Sequence, residues 1–200
     1  MAREKRASFA QESYWGRPVP SFGDPHARVL IVGLAPAAHG GNRTGRMFTG
    51  DRSGDWLYGS LHRTGFANHG PPIFAGDGLV LEDVYVVAPV RCAPPANKPT
   101  IEERDTCLGY LVRELPLLAR TKVIVALGGF AWDAAIKTCV TAGADPVRPK
   151  PKFGHLAETK IGPYAFLGSY HPSQQNTFTG KLTEPMMDAV FLRARQLAND

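Results

Sequence analysis

Short apolar runs alternate with helical patterns along this 200-residue chain, and that alternation is what most constrains its fold. Four runs of mostly aliphatic residues are predicted to be buried strands, at residues 27–33, 84–90, 122–127 and 164–170. Helical spacing or helix-start signals follow each of them, at residues 54–64, 100–119, 130–141 and 182–198. Strands that alternate with helices usually form a parallel sheet covered on both faces. We therefore expect a three-layer α/β/α sandwich around a central, mainly parallel four-stranded sheet.

The length and composition of the chain fit a single domain over residues 1–200, without repeats or a clear linker. Residues 1–26 are polar and aromatic without a regular period, so we expect this segment to be partly irregular. No apolar run approaches the ~20 residues that span a bilayer, and no apolar segment follows the basic start at Met1. These features predict a cytoplasmic protein that does not enter a membrane, and we expect a monomer.

The formal net charge of +5 favours a polyanionic partner, because each Lys or Arg that meets a phosphate releases counterions. Charge alone is a weak indication of nucleic-acid binding.

Three loops rich in polar residues, glycine and proline leave the predicted strand ends, at residues 34–53, 91–100 and 171–180. Ligands of open α/β sheets bind beyond the carboxyl ends of the strands, so these loops are predicted to form the functional site. The first loop lacks the Gly-Lys-Ser/Thr of a phosphate-binding loop and the pattern of a dinucleotide site. The chain also has no Gly-x-Ser-x-Gly, so a Ser-His-Asp hydrolase is poorly supported.

Four residues of these loops are candidates for chemistry, and each has a structural alternative. Asp51 is a carboxylate in a glycine-rich loop, or an ordinary helix N-cap. Phe48 offers a stacking surface for a planar ligand, or simply packs in its loop. Asn97 can read a base edge or form an Asx-turn, and His171 is a general catalyst or a structural histidine.

Taken together, the loops resemble the motifs of the family 5 uracil-DNA glycosylases (the UDGb type), within the uracil-DNA glycosylase superfamily, and the actinobacterial members most of all. The matching motifs are GLAPAAHGGNRTGRMFTGD at 33–51, VRCAPPANKPT at 90–100 and SYHPSQQNTFTG at 169–180. They are long and specific, and the likeness extends from about Ala7 to the last helix. The resemblance implies an enzyme of base excision repair that hydrolyses the N-glycosidic bond of uracil flipped out of double-stranded DNA.

The resemblance also implies a role for each site residue. Asp51 would orient the water and stabilise the cationic sugar, His171 would hydrogen-bond the uracil O2, and Asn97 would complete the catalytic set. The residues expected around the base are Phe48, whose ring would stack on it, His39, and Ala35 and Ala37 of the apolar first motif. That apolar motif implies loose selection, so hypoxanthine and hydroxymethyluracil are further expected substrates.

DNA contacts are expected around the same loops. The third loop would enter the minor groove beside the flipped nucleotide with Ser173, Gln174, Gln175 and Phe178. The alternative for this loop is a plain surface turn. The cations that flank the loops are predicted phosphate contacts, and they are Arg43, Arg46, Lys98 and Lys181.

Cys92 and Cys107 form a C-x14-C pair. In the family that the chain resembles, such a pair supplies two of the four ligands of a [4Fe-4S] cluster, and an N-terminal C-x2-C supplies the others. No cysteine precedes Cys92, so the two further ligands are expected upstream of Met1 and the sequence looks short at its N-terminus. The cluster is therefore expected to be incomplete or absent in the chain as given. The alternative is that Cys92 and Cys107, like Cys139, are core thiols.

Two other functions remain open on the same residues. One is a nucleoside hydrolase on the same scaffold, which would not depend on duplex length. The other is a non-catalytic DNA-lesion-binding module, which would bind uracil-DNA and leave it intact.

Overall fold

The computed structural model describes residues 5–200, and these residues are built around one mostly parallel sheet of six strands. The strands are β1 (Phe22–Gly23), β2 (Val29–Val32), β3 (Val84–Val87), β4 (Val123–Leu127), β5 (Glu158–Ile161) and β6 (Tyr164–Ser169). Their order across the sheet is β1-β3-β2-β4-β6-β5. The inner strands β3, β2, β4 and β6 are parallel, which confirms the four predicted strands.

The predicted domain begins at Met1, and so does its predicted irregular segment. Residues 1–4 lie outside the described residues. The rest of that segment, from residue 5 to residue 26, contains a short 3-10 turn at Ala7–Phe9 and the two-residue strand β1. Most of it has no regular secondary structure, as its lack of a period predicts.

The predicted number of strands was too small, because an antiparallel strand lies at each edge of the sheet. β1 contributes only two residues, which is too short for a period to show in the sequence. β5 has the sequence ETKI with two of its four residues exposed, so it lacks the apolar run of a buried strand.

The helices lie between the strands as the alternation predicts. They are α1 (Gly41–Thr44), α2 (Arg52–Arg63), α3 (Ile101–Glu114), α4 (Gly129–Thr141), α5 (Gln174–Phe178) and α6 (Glu184–Asn199). Further 3-10 turns occur at Pro95–Asn97 and Leu115–Leu117. The predicted start of α3 is confirmed: Thr100 and Glu103 form a reciprocal capping box. α3 ends before the predicted residue 119, because Pro116 cannot continue an α-helix and the chain tightens into the 3-10 turn.

Alternation within the strands sends side chains to the two faces of the sheet. Val29 and Ile31 of β2 join the core under α2 and α6, whereas Leu30 and Val32 join the core under α3 and α4. Every residue of β2 and β4 is buried, so helices cover both faces of the sheet at these inner strands. This arrangement confirms the three-layer sandwich.

The four parallel strands end at one edge of the sheet, and the three predicted loops leave the ends of β2, β3 and β6 there. Two of these loops contain short helices, α1 and α5, which the sequence did not predict. Among residues 5–200, no helix combines the length and the apolar character that crossing a membrane requires.

Candidate active site

A cavity of about 530 Å³ lies at the carboxyl edge of the sheet, where the three loops meet. All seven residues predicted for catalysis and base binding line it: Ala35, Ala37, His39, Phe48, Asp51, Asn97 and His171. The third loop adds three of its four predicted residues to the wall, namely Ser173, Gln174 and Gln175. The loops therefore converge as the sheet topology predicts.

Asp51 is both the N-cap of α2 and a wall residue of the cavity. Its Oδ1 atom accepts a hydrogen bond from the Gly54 backbone N–H at 3.1 Å. Burial raises the pKa of this carboxyl above its ordinary value, and the backbone N–H groups of Gly54 and Ser53 oppose that shift. Asp51 is thus a helix cap and a site residue at once, and burial makes the carboxylate a stronger base than an exposed one.

Phe48 is held in place by its backbone and by close neighbours. Its φ angle is 52°, in the left-handed region that a residue with a side chain rarely adopts. Its ring lies so near Gly33 that a Cβ there would be 2.8 Å from the ring, and its ring centroid is 6.0 Å from that of His171, with the planes tilted by 35°. The aromatic face at the cavity is thus fixed rather than mobile.

His171 follows β6 and sits close to Gly128 at the end of β4. Burial lowers the pKa of His171 to about 4, because the site does not solvate a charged imidazolium. The backbone carbonyl of His171 accepts a hydrogen bond from Asn176 Nδ2 at 2.8 Å, which ties it to α5. At neutral pH the ring is an uncharged imidazole that can donate one hydrogen bond.

Asn97 ties the second loop to the first. Its Oδ1 atom accepts a hydrogen bond from the Ala38 backbone N–H at 2.9 Å, which is not the local Asx-turn. Asn97 and Ala96 both have positive φ angles, 55° and 51°, and this turn directs the side chain back toward the first loop. Since the amide oxygen is occupied, the Asn97 side chain has its NH2 group left for a ligand.

His39 is anchored on both its ring and its backbone. Its Nδ1 atom lies 2.8 Å from the Tyr14 hydroxyl, and its carbonyl accepts a hydrogen bond from Arg43 Nε at 2.7 Å. Its ring centroid is 6.3 Å from that of Phe9, another cavity residue. The cavity wall formed by His39 is thus supported by the segment that precedes β1.

Of the four predicted phosphate contacts, two are exposed and two form ion pairs within the protein. Lys98 and Lys181 are exposed, and Lys181 Nζ lies 5.0 Å from the ring centroid of Tyr170. Arg43 pairs with Glu12 at 2.5 Å and its side chain is only 13% exposed. It is therefore committed mainly to holding the first loop.

The phosphate contact of Arg46 stays a prediction, and the surroundings of Arg46 argue against it. Arg46 forms a two-bond ion pair with Asp77, with both distances 2.8 Å, and its Nε donates to Thr49 Oγ1 at 2.9 Å. The side chains of the pair are 6% and 4% exposed. Neither charge faces solvent, so Arg46 clamps the loop 64–83 to the first loop instead.

Phe178 does not line the cavity. It lies on the exposed side of α5, 66% exposed, and the guanidinium of Arg52 is 4.5 Å from its ring centroid. Because Arg52 follows Asp51 and itself lines the cavity, Phe178 stands at the rim rather than in the wall.

The two cysteines of the C-x14-C pair lie on a second cavity, of about 260 Å³, between the second loop and α3. Cys92 is exposed and Cys107 is half-buried, whereas Cys139 is buried in the core under α4. Burial, and to a smaller degree the nearby Cys107 thiol, raises the pKa of Cys92. Two thiols on one cavity fit half of a four-cysteine site.

The other half of the predicted cluster site has no residues in this chain. Its two cysteines are predicted upstream of Met1, and Met1 itself lies outside the described residues, so the prediction of a C-x2-C there stays a prediction. Residues 5–200 contain no cluster of three or more His, Cys, Asp or Glu that could hold a metal ion. The described residues by themselves therefore do not form a complete metal site.

Sequence reasoning missed part of the cavity wall. Arg6 and Phe9 line it, although the segment that carries them has no periodic pattern, and Ala88 lines it just beyond β3. The predicted irregular segment therefore contributes to the site. Its aromatic residues were the only signal that could have pointed there.

Comparison with known proteins gives the chain relatives over nearly its whole length. Residues 20–195 match the model of the uracil DNA glycosylase superfamily. A type-5 uracil-DNA glycosylase of Mycobacterium bovis is 54% identical over 196 residues, which cover 97% of this chain and 72% of that protein. A type-5 uracil-DNA glycosylase of Thermus thermophilus is 47% identical, with 97% and 86% covered. A type-4 uracil-DNA glycosylase of Archaeoglobus fulgidus is 38% identical over 114 residues, 56% of this chain and 49% of that protein.

Proposed function

The chain belongs to the uracil DNA glycosylase superfamily, and we propose that it excises uracil and other deaminated bases from double-stranded DNA in the cavity at the carboxyl edge of its sheet. It is a uracil-DNA glycosylase, a hydrolase of N-glycosyl bonds, like the type-5 relatives. The observation that carries the assignment of its site is the pair of side chains Asp51 and His171 on the wall of one cavity, a desolvated carboxylate and a neutral imidazole.

The reaction breaks the bond between the base nitrogen and the sugar C1′, and the bonding electron pair leaves with the base. We propose that the Asp51 carboxylate stabilises the cationic sugar, orients the water that bonds to C1′ and takes up its proton. The raised pKa of Asp51 supports this role because a more basic carboxylate accepts a proton more readily. The departing base anion takes up a proton from solvent, and Asp51 afterwards releases to solvent the proton that it accepted, so that one water is divided between the sugar and the base.

His171 is proposed to donate a hydrogen bond to the uracil O2 as negative charge builds on the base. A neutral imidazole suits this role, since the lowered pKa keeps the ring uncharged at neutral pH. The NH2 group of Asn97 is the second proposed hydrogen-bond donor to the base, because its Oδ1 atom already accepts from the Ala38 backbone N–H. Phe48 supplies the stacking face.

The proposed substrate range includes hypoxanthine and hydroxymethyluracil. It rests on the apolar first motif, in which Ala35 and Ala37 form the wall and add no polar group that would reject a larger base. Flipping costs a few kcal/mol and is easiest from a mismatch, so deaminated bases opposite their original partners are favoured.

We propose that α5 and its cap approach the minor groove with Ser173, Gln174, Gln175 and Phe178. The exposure of Phe178 at the rim and the place of the other three in the cavity wall support this. Lys98 and Lys181 are the proposed phosphate contacts, and Arg43 is a weaker candidate because of its ion pair with Glu12. We further propose that the enzyme is a monomer and acts in the cytoplasm.

Cys92 and Cys107 are proposed as two of the four thiolate ligands of a [4Fe-4S] cluster, because both face one cavity. A four-cysteine site would need two more thiolates than Cys92 and Cys107 supply, from outside residues 1–200. The cluster would hold the loop that bears Asn97 against α3. This role is structural, since base excision requires no redox chemistry.

Iron and sulfide analysis of the protein purified anaerobically, as its gene encodes it, tests the cluster. Cys92→Ala should lose the iron, whereas Cys139→Ala, at a thiol buried in the core, should keep it. An iron-free parent protein contradicts the proposal.

One assay separates the proposed function from its two rivals. The purified protein is incubated with a labelled duplex that contains one G·U pair, and abasic sites are then cleaved with alkali. A glycosylase yields a cleaved strand and free uracil. A lesion-binding module shifts the duplex in a gel but leaves it uncleaved, and a nucleoside hydrolase releases uracil from free deoxyuridine and not from the duplex.

A further inference from the structure

His39 has one ring nitrogen engaged outside the cavity and one left for a ligand. Nδ1 lies 2.8 Å from the Tyr14 hydroxyl. Nε2 makes no hydrogen bond to any residue of the described range 5–200, although His39 lines the cavity. The chemical character of Nε2 therefore depends on which partner donates in the Tyr14–His39 bond.

Tyr14 is the better donor of the two. A phenol hydroxyl is a strong donor and a poor acceptor, whereas the bare nitrogen of a neutral imidazole is a strong acceptor. With the proton of Tyr14 directed at Nδ1, the neutral imidazole must carry its own proton on Nε2.

The Tyr14–His39 contact is built into the fold. The Trp15 backbone N–H donates to the Arg43 carbonyl at 3.0 Å, and the Gly16 N–H donates to the Asn42 carbonyl at 3.1 Å. These bonds fasten the segment that carries Tyr14 to α1, which follows His39 in the chain. The rings of Tyr14 and His39 also meet edge to face, with centroids 6.0 Å apart.

Asn97 is arranged in a similar way. Its oxygen is occupied by the Ala38 N–H, so its donor group is the one left over. His39 and Asn97 are thus anchored by different contacts, and each keeps a hydrogen-bond donor for the cavity.

Donors at a base site favour carbonyl oxygens over amino groups. Deamination converts an amino group into a carbonyl, as in cytosine to uracil. A fixed N–H donor pairs with the new oxygen but would oppose the amino hydrogens of the parent base, and an unpaired buried donor costs about 1–3 kcal/mol.

We propose that His39 is a specificity-determining residue that donates a hydrogen bond from Nε2 to the O4 oxygen of the flipped uracil, and that Tyr14 is the positioning residue that holds this tautomer. The proposal rests on the proposed function, in which His171 takes the O2 side of the base. The hydrogen bond from His39 would let the cavity select deaminated bases as a class by their carbonyl oxygen, without specific contacts to the rest of the ring.

The first test is independent of activity. In protein labelled with ¹⁵N-histidine, the His39 signals of the wild type should be those of a bare Nδ1 and a protonated Nε2. Tyr14→Phe should move His39 toward a mixture of tautomers, whereas Tyr110→Phe, at a half-exposed tyrosine on α3, should not. A protonated Nδ1 in the wild type overturns the proposal whether or not the protein excises uracil.

The second test measures single-turnover excision of uracil and of 4-thiouracil, each opposite guanine. Sulfur is a weak acceptor, so the O4 contact is already lost in the thio base. His39→Leu should slow uracil excision by about tenfold, the worth of one hydrogen bond. Tyr14→Phe should slow it by a smaller factor, because part of the His39 population keeps its proton on Nε2. Both variants should slow 4-thiouracil excision by less than about twofold, and by less than they slow uracil excision. His39→Gln, which keeps an N–H donor, should recover part of the uracil rate. Equal losses on both bases, or no loss on uracil, overturn the proposal, whereas a wild type that excises neither base refutes the proposed function instead.

Discussion

Gly40 leaves room for the carboxylate of Asp51, since a Cβ atom at residue 40 would overlap Asp51 Oδ2. The two residues lie eleven positions apart in one loop, so the loop folds back and places the Gly40 backbone against the carboxylate that we propose to be catalytic. Only glycine fits at this position without moving Asp51.

Gly40→Ala should therefore displace the carboxylate while the protein stays folded. A displacement of about 1 Å in a catalytic group can cost about 10²-fold in rate, and we expect a loss of that order in single-turnover uracil excision. Gly109→Ala is the matched control, because a Cβ there would meet only the end of Arg113 at 3.7 Å. Full activity of Gly40→Ala, with an unchanged melting temperature, would contradict the placement of Asp51.

His171 should make the protein less stable as the pH falls. The pKa of His171 is about 4 in the folded protein against 6.5 for an ordinary histidine, so below pH 6.5 the unfolded chain binds a proton that the folded one does not. The free energy of unfolding should then fall by about 3 kcal/mol between pH 6.5 and 4 on account of this group alone. His171→Gln removes the titration, and denaturant unfolding at several pH values should show a smaller decline for the variant. Equal declines in the two proteins would mean that His171 is not desolvated.

Lys98 and Lys181 should contribute to DNA affinity through the phosphates. If each contacts one phosphate, Lys98→Ala and Lys181→Ala should each lower the slope of log K against log[salt] by about 0.9, with little change in the excision rate at saturation. Fluorescence anisotropy of a labelled duplex at several salt concentrations measures this slope. An unchanged slope in both variants would remove these lysines from the DNA interface.

Arg46 should behave differently from these lysines. Arg46→Met leaves the Asp77 carboxylate unpaired in a site that is 4% exposed, which should cost about 3–5 kcal/mol of unfolding free energy. Loss of the pair also releases the pKa of Asp77, which Arg46 holds well below its usual range. Urea unfolding is the measurement. A variant with wild-type stability and a lower salt slope would restore Arg46 as a phosphate contact.

The sequence predicted the layers and the convergence of the loops, because both follow from regular signals. Apolar runs indicate buried strands, and parallel strands bring their carboxyl ends to one edge, so Asp51, Asn97 and His171 meet in one cavity. The edge strands β1 and β5 were missed because a two-residue strand and an exposed one give no apolar period.

The partners of charged side chains could not be predicted. In the sequence, Arg43 and Arg46 look like surface cations of the first loop, but their ion pairs with Glu12 and Asp77 depend on tertiary contacts 31 residues away in both cases. The hydrogen bond from Tyr14 to His39 spans 25 residues and is equally invisible in the local pattern. Long-range contacts of this kind decide which polar residues face the ligand.

The most direct test of the account is single-turnover uracil excision by Asp51→Asn beside the wild type. Asparagine keeps an oxygen that can accept the Gly54 N–H, so α2 stays capped, but it cannot take up a proton or stabilise a cation as a carboxylate does. Because burial raises the pKa of Asp51, removing its charge should also raise the stability of the folded protein at neutral pH. Asp51→Asn should bind the G·U duplex as tightly as the wild type but lose uracil excision by at least about 10²-fold, the loss typical of one electrostatic contact to the transition state. Wild-type excision by Asp51→Asn would contradict a catalytic role of the carboxylate.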